Sequence, residues 1–134
     1  MDLATAARYW RNPEYAALFG GALFAPPTSW LLHPPAARHG RFELTVAGAP
    51  HLSGLAQQAG RYSAELADLP RAPYAAFGAL RRRTIEIGGA KVELGIAGGQ
   101  ASVGDEGLER WVAEAARDVE SYLGRFPVAQ ATVF

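Results

Sequence analysis

The feature that most constrains this 134-residue chain is a run of apolar residues at three- and four-residue intervals: Leu108, Trp111, Val112, Ala115, Val119, Tyr122 and Leu123. That spacing places all seven on one face of an α-helix over 105–123, with charged residues on the other. Asp105 or Ser102 is positioned to cap the first amides, and Glu106 and Glu109 suit the positive end of the helix dipole. Gly124 fits the left-handed residue past the end, and Pro127 forbids continuation. Burial of Trp111, Val119 and Leu123 is expected to stabilise the helix by roughly 1.5–3 kcal/mol each, which requires a sheet lying opposite.

The preceding residues supply that sheet. From Arg41 the period shortens to two: Phe42, Leu44 and Val46 alternate with Arg41, Glu43 and Thr45, as in a half-buried strand. Arg61 to Leu69 repeats the alternation. Thr84–Ile87 and Lys91–Ile96 flank Gly88-Gly89, which predicts a hairpin whose apolar face is Ile85, Ile87, Val92, Leu94 and Ile96. Gly98 to Gly104 forms the link into the helix, and Val128–Phe134 reads as a final strand. Toward the N-terminus, Leu3–Tyr9 and Pro13–Phe19 read as short helical turns, with Asn12 as a cap. The four prolines of Phe24–Pro35 predict an extended connection, tucked against the core by Trp30, Leu31 and Leu32.

The pattern specifies an α+β fold: an antiparallel sheet with short N-terminal helices, then one long amphipathic helix and a strand. Three segments are expected, a helical and Pro-rich 1–40, a β domain over 41–98, and the helix and strand of 105–134. Thirteen basic and thirteen acidic side chains cancel, so overall charge favours neither nucleic acid nor an anionic membrane. No cysteine is present, which removes disulfides, thiolate metal sites and a cysteine nucleophile. Glycines and prolines interrupt the apolar stretch 16–32 too early for a membrane span, and the acidic start lacks the basic region of a signal peptide. The compartment is left open.

Residues with chemistry are few. His33, His39 and His51 sit in Pro/Gly-rich sequence without the i, i+4 spacing that aims two imidazoles at one metal, so no ligand set is assigned to them. Ser53-Gly54 lacks a nucleophile-elbow pattern and reads as a polar turn. Arg81-Arg82-Arg83 reads as a solvated strand face, Arg81 and Arg83 on one side and Arg82 on the other, with Glu86, Glu93 and Asp68 as candidate partners. The pairs Gly20-Gly21, Gly88-Gly89 and Gly98-Gly99 read as turns, because no phosphate-loop signature accompanies them. Tyr74, Phe77, Trp30 and Trp111 read as core aromatics. No catalytic, cofactor-binding or metal residue is assigned.

Residues 41–134, above all Tyr74 to Gly99 followed by Leu108-Glu-Arg-Trp-Val through Leu123-Gly-Arg-Phe-Pro-Val128, resemble a bacterial branch of the gluzincin zinc metallopeptidases near the glycyl-aminopeptidase-like enzymes. The resemblance implies an N-terminal β domain leading into a thermolysin-like catalytic domain, whose opening helix and strand correspond to Asp105–Leu123 and Val128–Phe134. It also implies zinc in the intact parent protein, held by a His-Glu-x-x-His helix and a downstream glutamate, with the motif glutamate as general base. This chain contains no His-Glu pair, so none of those roles transfers to it. The expected role is therefore non-catalytic support of a substrate cleft, with the parent's catalytic domain or another protein chain as partner. The alternative is a self-contained α+β interaction module in which the last strand joins the sheet and the helix covers one face.

Overall fold

The computed structural model describes Thr5, Ala7, Arg8, Asn12, residues 14–32 and residues 39–134. They form two compact units, divided between Ala79 and Leu80.

The first unit is built from short antiparallel strands. β1 (Ala17–Phe19), β2 (Ala22–Ala25), β7 (Ala75–Gly78) and β4 (His51–Ser53) make one four-stranded sheet in that order. β3 (Arg41–Leu44), β6 (Arg61–Glu65) and β5 (Ala56–Gln58) make a second sheet of three. Gly20-Gly21 turns β1 into β2 with φ of 55° and 79°, the two positive dihedrals that a tight hairpin turn requires. Alanine dominates the centre of the first sheet: Ala22, Ala25, Ala75 and Ala76 are all fully enclosed, which lets neighbouring layers approach closely. Trp30 covers that region edge-on to Phe77, with ring centroids 5.3 Å apart.

Three expectations for this region are corrected. The alternation expected from Arg61 to Leu69 ends with β6 at Glu65, and Leu66–Arg71 is a 3-10 helix. Pro13–Phe19 is not a helical turn throughout, since Asn12 caps a single turn and the chain is already in β1 at Ala17. The Asn12 carbonyl accepts from the Tyr15 and Ala16 amides, and its side chain accepts from Glu14 N–H at 3.0 Å. Phe24–Pro35 is likewise not all extended: Phe24 and Ala25 end β2, and Pro27–Trp30 is a one-turn helix, α1, with proline at its first position. Proline forbids a helix interior but is suited to the first turn, where its missing N–H has no partner to lose. Trp30 does pack on the core, whereas Leu32 is 98% exposed. Of the expected Leu3–Tyr9 turn, Thr5, Ala7 and Arg8 are helical and the rest lies outside the described residues.

The second unit is a crossover. β8 (Leu80–Ile87) and β9 (Ala90–Ala97) form the hairpin around Gly88-Gly89, at φ of 53° and 81°. The long helix α2 (Gly104–Leu123) follows, ended by Gly124 at φ 74°. β10 (Gln130–Val133) then returns parallel to β9, giving the order β10-β9-β8. Register sets the faces. Ile85 lies opposite Val92 and Arg83 opposite Leu94, while Ala131 and Val133 lie beside Val92 and Leu94. One face therefore carries Ile85, Ile87, Val92, Leu94 and Ile96, and it packs on Val112, Ala113 and Ala116 of α2, with Leu108 and Phe126 at the margin. The opposite face is polar, with Glu86 across from Lys91 and Thr84 across from Glu93. The architecture is α+β, as expected from the sequence, and among the described residues no helix is long and apolar enough to cross a membrane.

Candidate functional site: the long helix and its ion-paired seat

α2 is anchored to β8 by charge as well as by its apolar side. Alternation along β8 directs Arg81 and Arg83 to the helix-covered face, at the end where the isoleucines stop. Arg81 grips Asp105 with two hydrogen bonds, Nε to Oδ2 at 2.6 Å and Nη2 to Oδ1 at 2.9 Å, and donates a third to the Gly99 carbonyl at 3.2 Å. One turn further along, Arg83 Nε lies 3.4 Å from Glu109 Oε2. The forked guanidinium fixes both distance and angle, so the first turn of α2 is seated in one orientation.

Hydrogen bonding to Arg81 holds the Asp105 carboxyl below the usual carboxylate range, against the opposing effect of desolvation, with the charges of Arg81 and Arg83 adding to the downward shift. The Arg81 guanidinium is correspondingly raised. The expected partners of the arginine run are thereby corrected. Glu93 pairs with Lys91 at 2.6 Å and Asp68 with Arg71 at 3.6 Å, while the helix supplies the acids that Arg81 and Arg83 use. A sequence reading that pairs strands only with strands misses carboxylates placed by a crossover.

The helix start is a second correction. Neither Asp105 nor Ser102 caps it: the N-cap is Val103, without a side-chain hydrogen bond, and Asp105 is committed to Arg81. Its burial pattern is the third. The covered side is Val112, Ala113 and Ala116, offset from the large apolar residues. Trp111 is 65% exposed and Tyr122 is 89% exposed, with Val119 and Leu123 also open to solvent. Small side chains face the sheet because α2 lies close over β8. Glu120 reaches the hairpin turn, so close that a Cβ added at Gly88 would overlap its carboxylate.

The remaining sequence candidates do not converge. His39 is exposed, His33 lies outside the described residues, and His51 stacks edge-on to Tyr62 at 5.5 Å with Nδ1 3.2 Å from the Ala49 carbonyl oxygen. Ser53 is buried, and its hydroxyl accepts from the Leu55 amide at 3.3 Å. Among the described residues no group of three histidine, aspartate or glutamate side chains is arranged to hold a metal ion. Tyr74, like Trp111 an expected core aromatic, is exposed and donates to the Glu14 carbonyl at 3.3 Å.

No protein-family profile matches the chain, and no curated protein sequence matches it significantly. A solved structure does. The crystal structure of an aminopeptidase N family protein from Idiomarina loihiensis superposes with a TM-score of 0.64 at 18% identity, over 88% of this chain and 22% of that one. The chain has the fold of part of that protein. It spans about a fifth of the neighbour's length, and the match includes most of both compact units.

Proposed function

We propose that this chain is a non-catalytic portion of a zinc-metallopeptidase-like protein, in which the β unit and the ion-paired crossover support a catalytic domain and form one wall of its substrate cleft. The observation that carries the reading is the structural likeness over nearly the whole chain to a small part of an aminopeptidase N family protein. The lack of any His-Glu pair supports the non-catalytic role, because the metal-binding helix of such enzymes begins with that pair. Zinc would belong to the parent protein, held by residues outside this sequence.

The gene provides the test. The reading frame that continues from the Phe134 codon should encode His-Glu-x-x-His, the motif of a zinc-binding helix. The isolated 134-residue protein should neither retain stoichiometric zinc nor cleave aminoacyl substrates. A downstream frame without that motif, or chelator-sensitive turnover by the pure chain, would overturn the proposal. A stand-alone interaction module is the second reading. It is favoured by the pairing of β10 with β9 inside the chain and by the cover that α2 gives one sheet face.

A further inference from the structure

The outward side of α2 carries an apolar row that its own sheet leaves largely open, with only Leu108 at its start packed at the margin of the core. Leu108 and Tyr122 lie seven residues on either side of Ala115, and Trp111 and Val119 lie four residues on either side. At 100° per residue these five share one stripe, and Trp111 to Tyr122 spans about 16 Å of helix. On one border the stripe meets Val112, which is buried against the sheet. On the other border stand Glu114 and Asp118, both exposed and one turn apart, with Arg110 and Arg117 in the next row behind them.

Symmetric spacing with a small residue at the centre would allow a second copy of α2 to lie antiparallel, Trp111 against Val119 and Tyr122 against Leu108. The charges oppose it. An antiparallel two-fold brings like borders together, so Glu114 and Asp118 of both copies would crowd into one seam. The same acidic border complements a basic one.

We propose that this face of α2 is a docking surface for a protein segment presenting an apolar strip edged by lysine or arginine. Trp111 and Tyr122 are the anchors, Ala115 leaves room for close approach, and Glu114 and Asp118 fix the direction in which the segment lies. This surface does not depend on the aminopeptidase reading, since every group it uses is on α2.

The probes are two helical peptides with the same leucine stripe, one bordered by lysine and the other by glutamate, titrated into the 134-residue protein at physiological salt. The lysine peptide should bind about tenfold more tightly than the glutamate peptide. Combined Glu114→Lys and Asp118→Lys should reverse that order, and Trp111→Ala should weaken the lysine peptide about tenfold. Glu106→Lys, on the far side of the helix, should leave the order unchanged. All these side chains are wholly or largely exposed, and unchanged circular dichroism confirms that the variants fold. Absence of binding by either peptide, or a preference that ignores the charge exchange, overturns the proposal. A neutral-pH dimer in sedimentation equilibrium that Trp111→Ala dissolves would also overturn it, by placing a second copy on the face.

Discussion

Val92→Ala and Trp111→Ala test the packing of the second unit by reversing the order of cost that side-chain size alone would give. Val92 sits on the central strand at 2% exposure, between Ile85 of β8 and Ala131 of β10 and facing α2. Truncation to alanine removes two methyl groups, about 1.6 kcal/mol of transfer free energy, and leaves a cavity that adds about another 1 kcal/mol. The total is roughly 2–3 kcal/mol, a large share of the roughly 3–8 kcal/mol expected for a unit of this size. Trp111 hides only about a third of its surface. On roughly 200 Å² that is at most about 1.7 kcal/mol before allowance for unfolded-state burial, and the better helix propensity of alanine returns about 0.5 kcal/mol. A net loss near or below 1 kcal/mol is expected. Urea unfolding followed at 222 nm, where α2 dominates the signal, measures both variants. Should Trp111→Ala cost as much as Val92→Ala, the placement of α2 with Val112, Ala113 and Ala116 inward is wrong.

Further predictions concern the charged seat and the turns. Because Asp105 has a depressed carboxyl pKa in the folded state, its contribution is present above the ordinary aspartate range and is lost as pH falls through the folded value. Asp105→Asn should therefore lower the melting temperature at pH 7 and flatten its decline between pH 5 and pH 2, as read by scanning calorimetry. An equally steep acid decline in the variant would remove Asp105 from that role. Gly88→Ala should destabilise the hairpin by about 1 kcal/mol or more, since the residue needs φ of 53° and its new methyl would meet Glu120; combining it with Glu120→Ala should recover the part due to the clash. Gly78→Ala should cost more than Gly21→Ala in thermal denaturation. A Cβ at Gly78 would lie 2.7 Å from the Gly21 carbonyl oxygen, which is backbone and cannot step aside, whereas a Cβ at Gly21 meets nothing within 4 Å.

The hairpin, the long helix and its glycine stop were legible in the sequence because each is set by local spacing: alternation over 84–96, three-and-four periodicity over 105–123, and glycine where φ is positive. Which arc of α2 faces inward was not. Periodicity identifies an apolar stripe but cannot say whether the chain itself covers it, and the sheet selected the small Ala113 and Ala116 over the larger Trp111 and Tyr122. The partners of Arg81 and Arg83 were hidden for a related reason. The helix acids lie more than twenty positions away and are delivered only by the crossover. Proline misled in the other direction, since Pro27 opens a helical turn instead of preventing one. The docking stripe was present in the sequence as a set of residues, yet only the burial of α2 shows that they are available.

The parallel join of β10 to β9 bears on how the second unit forms in time. The β8–β9 hairpin closes through a two-residue turn and can form as soon as its strands exist, but Ala131 must find Val92 across nearly forty intervening positions. Parallel pairing across that separation is slow compared with closing a hairpin, and until it happens the outer backbone edge of β9 has no strand beside it. During synthesis, then, the nascent chain passes through a stage in which a greasy hairpin edge waits for its third strand, and a chaperone or neighbouring nascent chain would encounter it there.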